Sequence, residues 1–134
     1  MEDLLHNLKD QTSYTGAFYC EYEVFKRMYQ NLIRSQVRSQ ELTCLVIFEL
    51  RNILPEVDVS KLMDKLKKSF DTGLRREDIY SRINSLQFVV LLSCKSKDNG
   101  YLIIQRIQKI FYKQVGRDVV KLYSNLNIAE KAES

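Results

Sequence analysis

The hydrophobic positions of the first half of the chain follow two different periods. Apolar and aromatic residues recur every three or four positions from residue 18 onward, which predicts an amphipathic helix over residues 18–39. The segment 43–50 is instead a short and almost continuous apolar run, typical of a strand buried on both faces. The chain therefore begins, after a polar stretch that ends near Gly16, with a long helix and then a buried strand.

A second amphipathic helix is predicted downstream of the only proline, Pro55. Asp58 is a suitable N-cap, because its side-chain oxygen can accept a hydrogen bond from a free amide of the first turn. Apolar residues at 59, 62, 63, 66 and 70 mark its inner face. We expect the helix to end before Gly73, as a glycine supplies a left-handed stop at low cost.

Two strands are then predicted over residues 78–83 and 87–94, joined at Asn84 and Ser85. Asparagine tolerates the positive φ that tight hairpin turns require. The closeness of the two runs predicts an antiparallel hairpin.

A third helix is predicted over residues 99–115, closed by Gly116, and a last strand over about 119–126. After the first helix the order is β-α-β-β-α-β. This order predicts an α+β fold of the ferredoxin-like or palm type, an antiparallel sheet with two helices on one face, preceded by a long N-terminal helix. We expect residues 1–15 to be a linker or the tail of an upstream element, 16–128 one domain, and 129–134 a frayed tail.

Composition narrows the class of protein. The 134 residues, 45% of them hydrophobic, suit one domain with a real core, and no apolar run approaches the roughly 18 residues that span a bilayer. No secretory signal is present at the start, so we expect a soluble, cytoplasmic protein without a membrane partner. The three cysteines are widely spaced, which favours buried free thiols over disulfides or a zinc site.

Charge adds little to this picture. The net charge is +4, and the most basic region, residues 61–76, is better interpreted as a solvated helix face than as a nucleic-acid site. RNA binding in the manner of an RRM, which shares the β-α-β-β-α-β order, is disfavoured because residues 87–94 lack its aromatic and basic signature. The only histidine, His6, lies in the N-terminal segment, and no P-loop or metal-spaced cluster is present.

The most specific motif is Arg75-x-x-Asp78, followed after five residues by Asn84, Ser85, Leu86, Gln87 and Phe88. It resembles the signature hairpin of GGDEF (diguanylate cyclase) domains, in which Arg-x-x-Asp precedes Gly-Gly-Asp/Glu-Glu-Phe. Only Phe88 keeps its letter of the five. The resemblance extends over residues 16–128 and implies the palm-like fold of that family.

The same resemblance implies that the catalytic and metal-binding residues of the family are replaced in this chain. In the family the glycine pair lets the backbone approach GTP phosphates, and the acidic pair serves Mg²⁺ and the attacking hydroxyl; here Asn84 and Ser85 carry β-carbons, and Leu86 and Gln87 have no carboxylate. An Asp-x-Asp at the end of the first family strand corresponds to Glu49 and Arg51. We therefore expect no cyclase activity, no metal and no cofactor.

A closer resemblance is to one group of bacterial regulators. Residues 16–26, 74–78 and 85–92 are similar to the C-terminal domains of SARP-like transcriptional regulators that carry a bacterial transcriptional activator (BTAD) domain. This resemblance implies a regulatory domain that serves assembly, or signal-linked control, of an upstream DNA-binding part. Its partners would be a second copy or the upstream domains of the same chain.

Two interpretations of Arg75 and Asp78 stay open. In active GGDEF domains this motif forms an inhibitory site for cyclic di-GMP, which implies a receptor for that or another guanine nucleotide. The arginine fork can bind guanine or phosphate, and a carboxylate can accept from guanine. Alternatively, the two residues form a local turn or ion pair.

Overall fold

The computed structural model of the chain describes residues 17–35 and 42–129, and these form a five-stranded sheet with three helices. The strands are β1 (Phe18–Tyr19), β2 (Leu42–Arg51), β3 (Ile79–Asn84), β4 (Gln87–Cys94) and β5 (Lys121–Ala129). The helices are α1 (Tyr22–Ser35), α2 (Val59–Gly73) and α3 (Lys97–Val115). The predicted α+β class and the order of the elements are confirmed. Residues 1–16, including His6, and 36–41 and 130–134 lie outside the described part.

The strands lie in the order β1-β3-β4-β2-β5. β2 is antiparallel to both β4 and β5, β3 and β4 form the predicted hairpin, and β1 runs parallel to β3. Both β2 and β4 have a neighbour on each side, and β4 is buried on both faces, whereas Leu45 and Ile47 on one face of β2 are only half-buried. Their register brings Phe48 opposite Phe88 and Glu49 opposite Gln87.

The N-terminal helix begins later than its period predicts. Phe18 and Tyr19 form β1 instead, with the Phe18 amide donating to the Asp78 carbonyl at 3.0 Å and the Cys20 amide to the Tyr80 carbonyl at 3.1 Å. The edge of β3 thus offers these amides partners that a first helical turn would have left unpaired. At the other end of the chain β5 extends to Ala129, a buried residue that we had assigned to the frayed tail.

The predicted caps are confirmed with one exception. The Asp58 side chain accepts from the Ser60 amide at 2.9 Å, and Gly116 ends α3 with φ 82°. Gly73 differs, because it is the last residue of α2 and has no positive φ. A β-carbon at Gly73 would lie 2.7 Å from Ile107 Cδ1 on the neighbouring helix, so that side-chain tip would have to shift for any larger residue.

The hairpin turn also differs from its prediction. β3 ends at Asn84 and β4 begins at Gln87, so the turn residues are Ser85 and Leu86. Among the described residues positive φ occurs only at Asn52 and Gly116. Asn84 contributes through its side chain, whose Oδ1 accepts from the Leu86 amide at 2.9 Å, an Asx turn that needs no left-handed residue.

The larger core lies on one face of the sheet, beneath α2 and α3 as predicted. Phe70 of α2 is at its centre, with ring centroids 5.1 Å from Phe48, 5.0 Å from Tyr80 and 5.2 Å from Phe88. The tilted and edge-on geometries are those that aromatic pairs prefer. The Tyr80 hydroxyl donates to Asp71 Oδ1 at 2.6 Å, so its burial leaves no unpaired donor. This cluster joins α2 to β2, β3 and β4.

The second face of the sheet is covered by α1 over β3 and β4. Phe25 of α1 is buried there among Cys20, Ile79, Val89 and Leu91. The same face of β2 and β5 is left partly open: Leu45 and Ile47 are half-buried, and Tyr123, Asn125 and Asn127 are exposed. α1 thus covers only half of this face.

The three cysteines, Cys20, Cys44 and Cys94, are free and buried, which confirms the prediction. Burial raises the pKa of all three thiols, that of Cys94 to about 12. Thiols of this kind are packing groups with little thiolate. Within residues 17–35 and 42–129, no helix is long and apolar enough to cross a bilayer.

Replacement of Phe70 by alanine should destabilise the domain by about 3–5 kcal/mol, the range for a fully buried aromatic side chain whose removal leaves a cavity. Chemical denaturation with urea measures this change. Leu102→Ala is the matched control, because Leu102 is 62% exposed on α3 and should change the unfolding free energy by less than about 0.5 kcal/mol. Equal losses in the two variants would contradict the assignment of Phe70 to the centre of the core.

Candidate functional site

The residues singled out by sequence lie at opposite ends of the β3–β4 hairpin. Asn84 and Gln87 are at the turn, next to Glu49 and Arg51 at the end of β2, and we call these four residues the hairpin-end cluster. The Arg75–Asp78 motif lies where β3 begins and β4 ends, as Ile79 opposite Leu91 shows. The fold therefore separates the two halves of the sequence motif along the length of the hairpin.

Hydrogen bonds connect the members of the hairpin-end cluster. Asn84 Nδ2 donates to Gln87 Oε1 at 2.7 Å, and Gln87 Nε2 donates to Glu49 Oε2 at 2.6 Å. Arg51 Nε donates to the other carboxylate oxygen of Glu49. The Arg51 guanidinium also stacks 4.3 Å from the ring centre of Tyr123 on β5. Gln87 thus binds a carboxylate, a contact that the sequence analysis did not anticipate.

The Glu49 carboxylate is ion-paired, and this lowers its pKa. Its hydrogen bond from Arg51 is the main cause that holds the pKa of Glu49 below its usual value. Mg²⁺ prefers carboxylate oxygens that are free to face it. Glu49 instead faces the Arg51 guanidinium and the Gln87 amide. The residues at this position therefore do not fit the magnesium ion that the resemblance to GGDEF domains would imply. Nowhere in the described residues do three His, Cys, Asp or Glu side chains lie close enough to hold a metal.

Arg75 and Asp78 are brought together, and they bind each other. Arg75 Nη2 donates to Asp78 Oδ1 at 3.0 Å, and Arg75 Nε and its backbone amide donate to Oδ2 at 3.2 and 2.8 Å. Nη2 also donates to the Ser93 carbonyl at the end of β4. The Asp78 side chain is 0% exposed, whereas that of Arg75 is 35% exposed. This geometry favours the local ion-pair interpretation, and the ligand interpretation stays a prediction.

Burial and pairing act on Asp78 in opposite directions. Burial is the larger effect and raises the pKa of Asp78, while the hydrogen bonds and charge of Arg75 lower it. The pKa of Arg75 is raised by the same bonds. A buried carboxylate without a cation is costly, so Arg75 is what makes the ionised form of Asp78 tolerable here.

Sequence reasoning missed the residues of the second face. Leu45 and Ile47 belong to the continuous apolar run of β2, from which we expected burial on both faces. The missing signal was in β5, where Tyr123, Asn125 and Asn127 alternate with apolar positions. An alternating neighbour indicates that one face of the sheet is open beside it.

Two solved structures of diguanylate cyclases share this fold. One is a diguanylate cyclase (DGC) protein from Thermotoga maritima, 13% identical, with a TM-score of 0.69 over 86% of this chain and 83% of that one. The other is diguanylate cyclase SiaD from Pseudomonas aeruginosa, in complex with its activator SiaC; it is 17% identical, with a TM-score of 0.70 over 100% of this chain and 56% of that one. No protein-family model and no curated protein matches the sequence.

The comparison corrects one expectation from the sequence. We predicted that the chain is not an enzyme, because the signature letters of the hairpin are replaced. The proteins whose fold it shares are diguanylate cyclases, which are enzymes, and this finding overturns the prediction. That prediction rested on the residue types at single positions of the hairpin and did not take the fold of these enzymes into account. The GGDEF-like fold itself is confirmed.

Replacement of Arg75 by alanine should destabilise the domain at pH 7 by about 2 kcal/mol. Removing one partner of a fully buried pair costs about 3–5 kcal/mol, and the partial exposure of Arg75 reduces that figure. Urea denaturation at pH 7 measures the loss. Arg76→Ala is the control, since Arg76 is exposed and adjacent in sequence; a loss of the same size there would contradict the role of Arg75.

The loss in Arg75→Ala should shrink as the pH falls from 7 to 4. A raised pKa means that the folded state binds the Asp78 proton more tightly than the unfolded state. The contribution of Asp78 to the stability of the folded state is therefore greatest below the pKa of Asp78 in the unfolded chain. It is lost as the pH rises through the pKa of Asp78 in the folded state. Without Arg75 this folded pKa rises further, so the penalty grows over a wider window. A loss that is equal at pH 4 and pH 7 would contradict this account.

Proposed function

We propose that this chain is a regulatory domain of a bacterial transcriptional regulator, and that it acts by contact with other protein surfaces. The segments similar to SARP-like regulators support the setting, and the fold of a signalling enzyme supports a signalling role. SiaD, which shares the fold, was solved in complex with an activator protein. A protein partner is therefore within the known use of this scaffold.

The observation that carries the proposal is the outer edge of β5. β5 is nine residues long, and in the described part of the chain it pairs only with β2. Long edge strands expose a row of backbone donors and acceptors and invite pairing with another chain. Proteins that avoid such pairing shorten or charge the edge, whereas β5 has a single charged residue, Lys121, at its start.

Within the described residues a side chain caps only the beginning of this edge. The Leu122 amide donates to the Tyr112 hydroxyl of α3 at 2.8 Å. Because the groups of an antiparallel edge strand point outward at every second residue, the outward groups that follow are those of Ser124, Leu126 and Ile128. This stretch can accept an added strand.

A second copy of the chain is the partner that this edge fits most simply. Two β5 strands can pair antiparallel about a two-fold axis, with the same residues on both sides, and so join two sheets into one. Asn125 is the middle residue of β5, and its exposed side chain would face its symmetry mate. Pairs of amide side chains can hydrogen-bond in this position. Assembly of the regulator through this edge is the function that we propose.

The wild-type domain should therefore dimerise with rising concentration, and Asn125→Lys should weaken the dimer. Two lysines opposite each other repel, and like charges across paired strands are destabilising. Light scattering coupled to size-exclusion chromatography measures the mass over a concentration series. Gln105→Lys, the same charge change on exposed α3, is the control and should leave the dimer unchanged. A wild-type monomer at every concentration, or equal weakening of the dimer in both variants, would contradict the proposal.

The alternative function is a receptor for cyclic di-GMP or another guanine nucleotide through Arg75 and Asp78. A ligand there must displace bonds that Arg75 makes to Asp78 and to the Ser93 carbonyl. It must also leave the buried Asp78 without its cation, which is costly. The geometry therefore favours assembly over nucleotide binding.

Calorimetric titration of cyclic di-GMP into the wild-type domain should accordingly give no binding heat. Parallel titrations of Arg75→Ala and Arg76→Ala supply the comparison, with circular dichroism as the check of folding. Micromolar binding to the wild type and Arg76→Ala that is lost in a folded Arg75→Ala would reverse our preference and make the domain a receptor.

A further inference from the structure

A cleft lies between α1 and the second face of the sheet. Its volume is about 390 Å³. One wall is the aromatic side of α1, with Tyr22, Phe25 and Tyr29, and the floor includes Leu45 and Ile47 of β2. The cleft shares no residue with the hairpin-end cluster or the Arg75–Asp78 pair, and its rim reaches Asn127 on β5.

The cleft exists because α1 covers only part of the second face. Phe25 is buried over β3 and β4, and this fixes the helix above those strands. The floor residues Leu45 and Ile47 belong to the next strand, where they pack against the margin of the Phe25 cluster and stay half-exposed. Apolar surface left in contact with water is stabilised when something covers it, so the floor favours an apolar occupant.

The wall favours a flat occupant. Tyr22 is 40% exposed, and its ring lies nearly parallel to that of Phe25, with an interplanar angle of 15° and centroids 6.4 Å apart. Tyr29 is half-buried one turn further along the same side of α1. Aromatic faces bind other rings by offset stacking. A planar ring system therefore fits the space between this wall and the aliphatic floor.

The charge of the cleft favours an anion. Among residues 17–35 and 42–129, Lys26 is the one charged residue that lines the cleft, and no carboxylate of this part of the chain does. The Lys26 ammonium lies 5.2 Å from the centre of the Tyr22 ring and 3.1 Å from Glu23 Oε1. Both members of that ion pair are well exposed, and pairs of this kind are weak, so Lys26 can turn to a ligand at little cost. Gln30 and Asn127 add amide groups at the rim for orientation.

We propose that this cleft binds a small planar aromatic molecule that carries one negative charge. Its volume lies within the range of roughly 300–1,000 Å³ found for small-molecule sites, which combine an apolar lining with a few polar groups. The occupant would cover Leu45 and Ile47, stack on Tyr22 and place its acidic group beside Lys26. Such a site would give the domain a chemical input, which goes beyond assembly through β5.

Two fluorescent probes that differ in one group test the charge and the ring separately. They are 1-anilinonaphthalene-8-sulfonate, an anion whose naphthalene ring system is planar, and N-phenyl-1-naphthylamine, which has the same rings without the sulfonate. We expect saturable binding of both at one site per chain, with the anion bound more tightly at low salt. Added salt should weaken only the anion.

Lys26→Gln and Arg27→Gln form a matched pair for the charge. Both residues are exposed on α1, but only Lys26 lines the cleft. We expect Lys26→Gln to lower the affinity for the anionic probe about three- to fivefold, in line with an exposed ion pair, and to leave the neutral probe unchanged. Arg27→Gln should change neither. Equal effects of the two variants on the anionic probe would overturn the proposed role of Lys26.

Ile47→Trp and Leu102→Trp form the matched pair for the location. A tryptophan at 47 fills the floor of the cleft and should abolish binding of both probes, while one at the exposed position 102 on α3 should leave it intact. Thermal unfolding followed by circular dichroism shows that each variant is folded. Binding that survives in a folded Ile47→Trp, or no saturable binding to the wild type, overturns the site.

Probe affinity measured over a series of protein concentrations distinguishes a ligand from a second copy as the occupant. Affinity that falls as the chain associates means that another copy covers the cleft, and this would also overturn the proposal. Constant affinity supports it. The Asn125→Lys variant should bind the neutral probe as the wild type does, and its added charge beside Asn127 should only strengthen binding of the anionic probe. Failure of the β5 edge and failure of the cleft are therefore separate results.

Discussion

The buried carboxylate of Asp78 is the point to which the edge elements of this fold are attached. Its side chain accepts three hydrogen bonds from Arg75 at the end of α2, and its carbonyl accepts the Phe18 amide of β1. Arg75 in turn donates to Ser93 of β4. Arg75 and Asp78 together therefore connect a helix end with three strands, the contact to β1 being made by the Asp78 backbone. Because an ionised carboxylate is tolerated in the interior only when its cation is in place, these elements come together as one unit.

This anchor also explains which parts of the molecule are left open. It holds β1 on β3, and β1 leads directly into α1, so α1 is positioned over β3 and β4 at that side of the sheet. The second face of β2 and β5 lies beyond its reach. The half-exposed floor of the cleft and the open edge of β5 are both on the side of the sheet away from Asp78. The constraint that closes one side of the domain thus leaves exposed surfaces on the other.

Sequence periodicity predicted the elements whose faces differ in polarity. The helices α2 and α3 and the strands β2 to β5 follow from apolar spacing, and Asp58 and Gly116 mark ends through their own chemistry. Phe18 and Tyr19 were assigned wrongly, since two residues have no period and only the distant amide acceptors of β3 make them a strand. Gly73 does lie at the end of α2, but not as a left-handed stop. Its close approach to Ile107 depends on how two helices pack, which the sequence does not specify. The Glu49–Gln87 bond depends likewise on strand register, which a single sequence does not specify.

The hairpin shows why the fold persists while the signature letters change. A two-residue connection between antiparallel strands needs a turn, and a glycine pair is one solution. Here the Asn84 side chain closes the turn through the Leu86 amide and binds Gln87, which binds Glu49 across β2. The polar residues at these positions therefore form a connected network of their own, and Phe88 lies beside Phe70 in the core. The fold depends on the backbone and the buried side chain of the hairpin end, whereas site chemistry depends on its exposed polar side chains. A chain 13–17% identical to the cyclases can therefore share their architecture. What this chain binds then has to follow from its own surfaces, and the edge of β5 and the cleft under α1 are two of them.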